Sequence, residues 1–142
     1  MAQDTQVKGT ISELTAVRAL LANGWEVSIP SVDESYDIVA KDPVTKQWAT
    51  FQVKTIRRRK DRNNEMVVYA TRNGGQPYSP SDCDYIVGVE SEDVYVFENK
   101  GLKEYWRTDA SAAKRWVKLS AEIESESSPE SEPESNKSEA II

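Results

Sequence analysis

Two runs of alternating residues, 36–41 and Trp48–Thr55, most constrain what this chain can fold into. Each reads as a β-strand, and Asp42-Pro43-Val44-Thr45-Lys46-Gln47 between them reads as a turn. Pairing Lys41 with Trp48 sets Val39 opposite Thr50 and Asp37 opposite Gln52, and opposed residues share a face. One face is then Ile38, Ala40, Ala49, Phe51 and Val53, almost wholly apolar, and it belongs against a core helix. The other carries Asp37, Val39, Trp48, Thr50, Gln52 and Lys54, with Asp37, Gln52 and Lys54 at its open end.

A carboxylate, a second oxygen donor and a lysine on one sheet edge suit metal-assisted phosphodiester cleavage. Mg²⁺ takes hard oxygen ligands, and Mn²⁺ accepts the same set. Such a cation activates a water and neutralises charge developing on the phosphate. The Lys54 ammonium can orient that water or stabilise the same charge. Glu13 adds a further carboxylate. The residues leave it two readings, because Thr10-Ile11-Ser12-Glu13 is also a capping-box pattern in which Glu13 would reach back to the Thr10 amide.

Residues 10–23 read as a helix. Ile11, Leu14, Val17 and Leu21 form its apolar stripe, Thr10 suits the N-cap, and Asn23-Gly24 the stop. A short strand is expected over 25–29, with Trp25, Val27 and Ile29 alternating, then a loop over 30–35. Further strands are expected over 66–71, 84–90 and 94–98. A glycine- and proline-bearing loop covers 72–79, and a second helix is expected over 109–119. From Ser120 onward Ser, Glu and Pro dominate, so 121–142 is expected to be a disordered acidic tail behind a single domain over 1–120.

Charge divides the chain the same way. The net charge is −6, and residues 121–142 carry all of it with seven glutamates and one lysine, so 1–120 is neutral. Within that neutral body Lys54, Arg57, Arg58, Arg59, Lys60 and Arg62 form a concentrated basic run against Asp61 alone. A solvated surface gives such a run too, but here it directly follows the candidate strand. Arg57, Arg58, Arg59, Lys60 and Arg62 are therefore assigned to DNA phosphates, where they would bind without sequence specificity.

Histidine is absent, which excludes a Ser-His-Asp triad, a histidine base and histidine-ligated zinc. Cys83 stands alone, so it forms neither an internal disulfide nor a cysteine zinc site; a small buried thiol is its simplest role. No run approaches the length of a membrane span, and the first residues do not look like a signal peptide, so a cytoplasmic setting is expected. Trp25, Trp106 and Trp116 are expected in a core or interface, with Trp48 on the site face, and Tyr78 covering apolar surface.

The order of these pieces resembles the PD-(D/E)xK nuclease superfamily, closest to group I intron-associated endonucleases and phage and archaeal Holliday-junction resolvases. Gly9-Thr10-Ile11-Ser12-Glu13-Leu14 looks like that group's first helix, Ser35-Tyr36-Asp37-Ile38 and Phe51-Gln52-Val53-Lys54-Thr55 like its two catalytic strands, and Asp82-Cys83-Asp84-Tyr85-Ile86-Val87 like a later strand entry. The resemblance covers roughly 8–98. It implies an α/β, restriction-endonuclease-like mixed β-sheet flanked by helices and Mg²⁺-dependent cleavage of DNA. Glu13, Asp37 and Gln52 would hold the metal, with the Val53 carbonyl as a further ligand and Lys54 positioning the attacking water. Two positions depart from the pattern: Tyr36 stands where the motif has proline, and Gln52 where it has an acid. A nuclease-fold protein that binds DNA or a partner without cutting is the alternative. Cutting two strands with one site per chain calls for a homodimer or homotetramer.

Overall fold

Gly24 ends the first helix by adopting a positive φ of 88°, a conformation that costs glycine little. The Trp25 amide then donates to the Leu20 carbonyl (3.0 Å) and the Gly24 amide to Leu21 (3.0 Å), which satisfies carbonyls the helix end would leave bare. The computed structural model describes residues 4–108 and 116–120. Helix α1 (Asp4–Ala22) is followed by β1 (Glu26–Ser28), β2 (Ile38–Lys41), β3 (Trp48–Thr55) and β4 (Arg57–Arg59). A 3₁₀ turn at Lys60–Arg62 leads to β5 (Glu65–Tyr69), β6 (Tyr85–Glu90), β7 (Asp93–Glu98), β8 (Glu104–Trp106) and β9 (Val117–Leu119).

The hairpin register is the expected one: Lys41 pairs with Trp48, Ala40 with Ala49, Val39 with Thr50 and Ile38 with Phe51. Asp42 closes the turn, its Oδ1 accepting from the amides of Val44 (2.7 Å) and Thr45 (3.2 Å). Burial alternates along β3 as the parity requires, with Ala49, Phe51 and Val53 inside.

Six strands form one sheet in the order β1-β2-β3-β6-β7-β9. Among the described residues only β3 and β6 run parallel within it. A second, antiparallel sheet has the order β4-β5-β8. One face of the large sheet packs on α1 through Ala16, Ala19, Leu20, Phe51, Val53, Val87 and Val96. Phe51 meets Trp25 edge-on (5.5 Å) and stacks on Tyr85 (5.5 Å). The other face packs on the small sheet through Ile56, Val68, Ile86, Phe97 and Tyr105. Gly88 permits that approach, since a Cβ there would lie 3.0 Å from Val68 Cγ2 and 3.1 Å from Ile56 Cγ1. The protein is thus a single α/β domain with a mixed sheet between a helix and a smaller sheet.

Several expectations need correction. The stripe Ile11, Leu14 and Leu21 faces outward, and α1 buries Ser12, Ala16, Ala19 and Leu20 instead. Small residues bring the helix close to the sheet, so size and not hydrophobicity selects the buried face. Because α1 already includes Asp4, Thr10 is not its N-cap and Glu13 lies well inside the helix. The first strand is shorter than 25–29, with Trp25 buried and Ile29 exposed. Strand β2 begins at Ile38, leaving Tyr36 and Asp37 ahead of it. Of the helix expected over 109–119, residues 109–115 lie outside the described residues, and Val117–Leu119 is a strand paired with β7. One α-helix, not several, flanks the sheet among the described residues. Strand β8 carried no sequence expectation. The acidic tail over 121–142 lies outside the described residues.

Candidate active site

Strand β3 is longer than its partner. The β2 ladder stops at Ile38 with Phe51, while β6 accompanies β3 as far as Thr55 with Val89. The edge of β3 beyond Phe51 therefore has no β2 backbone beside it. Asp37 fills that gap with both its backbone and its side chain. Its amide donates to the Phe51 carbonyl (2.8 Å), and its Oδ2 accepts from the Val53 amide (2.9 Å). A strand residue directs its N–H and C=O to the same side, so the Val53 carbonyl points to this edge as well. Asp37 is thereby fixed between the positions of Gln52 and Lys54.

Gln52 and Lys54 are half-buried on the face turned away from α1. The Lys54 ammonium donates to the Thr71 carbonyl (3.3 Å) and lies 5.1 Å from the Tyr78 ring centroid. Glu13 comes from the other layer. Its neighbour Ser12 shares a hydrogen bond with Thr55 (2.7 Å), which pins α1 to the end of β3 and carries Glu13 to the same end.

The electrostatics tie three of these groups together. Burial pushes the Asp37 carboxyl above the usual carboxylate range, although the Val53 amide and the Lys54 ammonium pull it back. Burial also raises Glu13, with the negative charge of Asp37 as the second cause. The Lys54 ammonium is lowered by burial, partly offset by Asp37. Burial is the main cause of both carboxyl rises, and the charge of Asp37 adds to the rise of Glu13. With an amide oxygen from Gln52 and the Val53 carbonyl the two carboxylates could supply an oxygen-only donor set, the kind a hard divalent cation takes. Among the described residues no three Asp, Glu or Cys side chains gather into a cluster, so the carboxylate count at this edge is two.

The basic run is a strand and a turn, and its members differ. Arg58 makes a bidentate pair with Glu90 (2.8 Å and 2.8 Å), and Arg59 a bidentate pair with Asp61 (2.8 Å and 2.7 Å) plus a bond to Tyr69 (2.8 Å). Arg62 lies over the Trp106 ring at 4.3 Å. Arg57 and Lys60 are exposed and have no ion partner among the described residues.

The remaining singled-out residues take structural places. Trp25 and Trp116 are buried, Trp48 is 48% exposed on the face expected for it, and Tyr78 is buried under Lys54. The Cys83 thiol is buried and pushed up to about 12, so it is no nucleophile. Sequence reasoning missed Ser12, Thr71 and Asn99. Asn99 is buried and donates to the carbonyls of Ser79 and Cys83 (2.9 Å each), which secures the loop ahead of β6. The spacing of Ser12 with Ala16 and Ala19 was a signal for a close helix–sheet contact; a backbone carbonyl such as that of Thr71 leaves none.

The fold is an α/β mixed sheet with one parallel pair, β3 and β6, and the acid Asp37 and the lysine Lys54 interact at the end of β3. The family model described as PD-(D/E)XK endonuclease matches residues 3–114, and the chain belongs to that family. Its fold is similar to the structure of the bacterial homing endonuclease I-Ssp6803I, with a TM-score of 0.58 at 28% identity over 74% of this chain and 75% of that one. A search of curated proteins gives no match. Among the described residues no helix is long and apolar enough to cross a membrane.

Proposed function

We propose that this protein is a divalent-metal-dependent DNA endonuclease. Glu13, Asp37, Gln52 and the Val53 carbonyl would hold Mg²⁺ or Mn²⁺, and Lys54 would position the attacking water. The observation that carries this reading is the Asp37 carboxylate held at the Val53 amide (2.9 Å), with Gln52 and Lys54 on either side in β3. When bound, the cation supplies Lewis-acid activation of water and neutralises charge on the phosphate.

The side chains divide the remaining work. Asp37 is oriented by a backbone bond, so its geometry needs no rearrangement on binding. Glu13 and Asp37 repel one another without a cation, which favours cation uptake. The Lys54 ammonium is anchored by the Thr71 carbonyl and near enough to Asp37 for the two charges to interact, so it would offset charge on a phosphate or orient the water. Hydrolysis attaches the water oxygen to phosphorus, breaks one P–O ester bond and passes a proton to the leaving oxygen. Arg57 and Lys60 follow the site strand and supply phosphate contacts. A homing-endonuclease-like substrate is supported by the similarity to I-Ssp6803I, and a junction-resolving activity is the alternative within the same chemistry.

A second reading has a specific observation behind it. Gln52 leaves two carboxylates where the motif supplies three acids in all, which favours a nuclease fold that binds DNA without cutting. Incubation with supercoiled plasmid separates the two readings. Nicking that appears with Mg²⁺ and disappears in excess chelator supports the endonuclease. Plasmid binding with no nicking at any Mg²⁺ or Mn²⁺ concentration supports the rival.

A further inference from the structure

Helix α1 has a second apolar face, which the domain core does not use. Val7, Ile11, Leu14, Arg18 and Leu21 follow one another at alternating intervals of four and three, the spacing of a helix-pairing seam. The four apolar members are exposed, at 43%, 55%, 64% and 55%. At 100° per residue this seam points directly away from the buried Ser12, Ala16, Ala19 and Leu20. One helix thus carries two faces, one for the sheet and one left exposed among the described residues. The groove lined by Gln6, Val7, Thr10, Ile11 and Glu13 runs along its first half.

We propose that this seam is a self-association surface and that its occupant is α1 of a second copy of this chain, packed antiparallel about a two-fold axis. The charges choose the occupant and its direction. Arg18 lies within the seam and Asp4 at its start, and neither has an ion partner among the described residues. A parallel pair would set Arg18 against Arg18. An antiparallel pair with Ile11 opposite the second copy's Leu14 sets Arg18 against Val7, one turn from Asp4 at that end, so opposite charges meet twice across one isologous contact. Glu13 then stands at the height of the two-fold axis along α1, and two copies of the candidate site are held in one particle. The inference rests on the surface of α1 and not on the proposed chemistry.

Sedimentation equilibrium of the full chain without DNA or metal tests it. The wild type should associate with a concentration-dependent mass. Leu14→Glu should weaken association at least about a hundredfold, by removing two buried leucines and burying two charges, with an unchanged circular dichroism spectrum. Arg18→Leu should tighten association at least about fivefold, and this variant does not depend on a stable monomer. Arg18→Glu should weaken association, and Asp4→Arg in the same chain should restore it. A wild type that stays monomeric throughout overturns the proposal and leaves the seam to a different partner. Association that Leu14→Glu and Arg18→Leu do not alter places the interface elsewhere, and a charge swap without rescue excludes the antiparallel pairing.

Discussion

The Asp37 carboxylate accepts the amide hydrogen of Val53 at 2.9 Å, so the acid is tied to the backbone of the strand that carries Gln52 and Lys54. The bond exists because β2 ends before β3 does. An acid that substitutes for a missing strand neighbour has a structural and an electrostatic consequence, and the two can be measured apart.

The electrostatic consequence is a pH-dependent cost in the metal-free protein. Both Asp37 and Glu13 have carboxyls raised by burial. A group whose pKa is raised on folding contributes stability below its unfolded value and loses it as pH rises through the folded value. Asn at position 37 can still accept the Val53 bond and does not titrate. Without divalent cation, Asp37→Asn should therefore gain stability relative to wild type as pH rises from 4 to 8. Thermal melts across that range check this, and a pH-independent difference contradicts it. Added Mg²⁺ should raise the wild-type Tm most at the upper end of the range.

Glu13 lies well inside α1 and its carboxyl is raised by burial and by Asp37, so Glu13→Gln should keep the fold and, without cation, gain stability relative to wild type as pH rises. Cleavage should fall strongly and recover partly at high Mg²⁺, because the cation loses one charged ligand. Gln52→Glu should act oppositely on metal: less Mg²⁺ needed for half-maximal activity, and a less stable metal-free protein from added carboxylate repulsion. Mg²⁺ titrations of cleavage and of Tm measure both, and unchanged midpoints would remove the altered residue from the metal shell.

The basic run should contribute unequally. Arg57 and Lys60 are free of ion partners among the described residues, whereas Arg58 and Arg59 are already paired with Glu90 and Asp61. If each free cation neutralises one phosphate, Arg57→Ala or Lys60→Ala should make the slope of log affinity against log salt shallower by about 0.9. Arg58→Ala and Arg59→Ala should change it less. Equal slope changes for all four would show that DNA displaces the internal carboxylates.

Gly88 pairs with Lys54 in the sheet, and a Cβ there would stand 3.0 Å from Val68 and 3.1 Å from Ile56, so those side chains would have to give way. Gly88→Val should destabilise the protein by about 1–3 kcal/mol through overpacking. The resulting shift of β6 from the small sheet should also disturb Lys54 and slow cleavage. Chemical denaturation and rate measurements on the same preparation would reveal a stable, fully active variant if the layers can separate freely.

The hairpin was legible because its alternation has period two and admits one register that gathers the apolar residues. The face of β3 that carries Gln52 and Lys54 came with that parity. Helix α1 was legible in existence but not in orientation. Its larger apolar residues, Ile11, Leu14 and Leu21, form the stripe that periodicity detects, yet close packing on the sheet selects Ser12, Ala16 and Ala19. Strands β8 and β9 were missed because each is three residues long and held by partners distant in sequence. The anchoring of Lys54 was invisible because its acceptor is the Thr71 backbone.

The most direct test is single-turnover cleavage of a DNA substrate in Mg²⁺ by wild type and Asp37→Asn, with DNA affinity measured on the same samples. The site assignment predicts DNA affinity within about threefold of wild type and a cleavage rate lower by at least about a thousandfold. An Asp37→Asn protein that binds DNA and cuts it at the wild-type rate would contradict it.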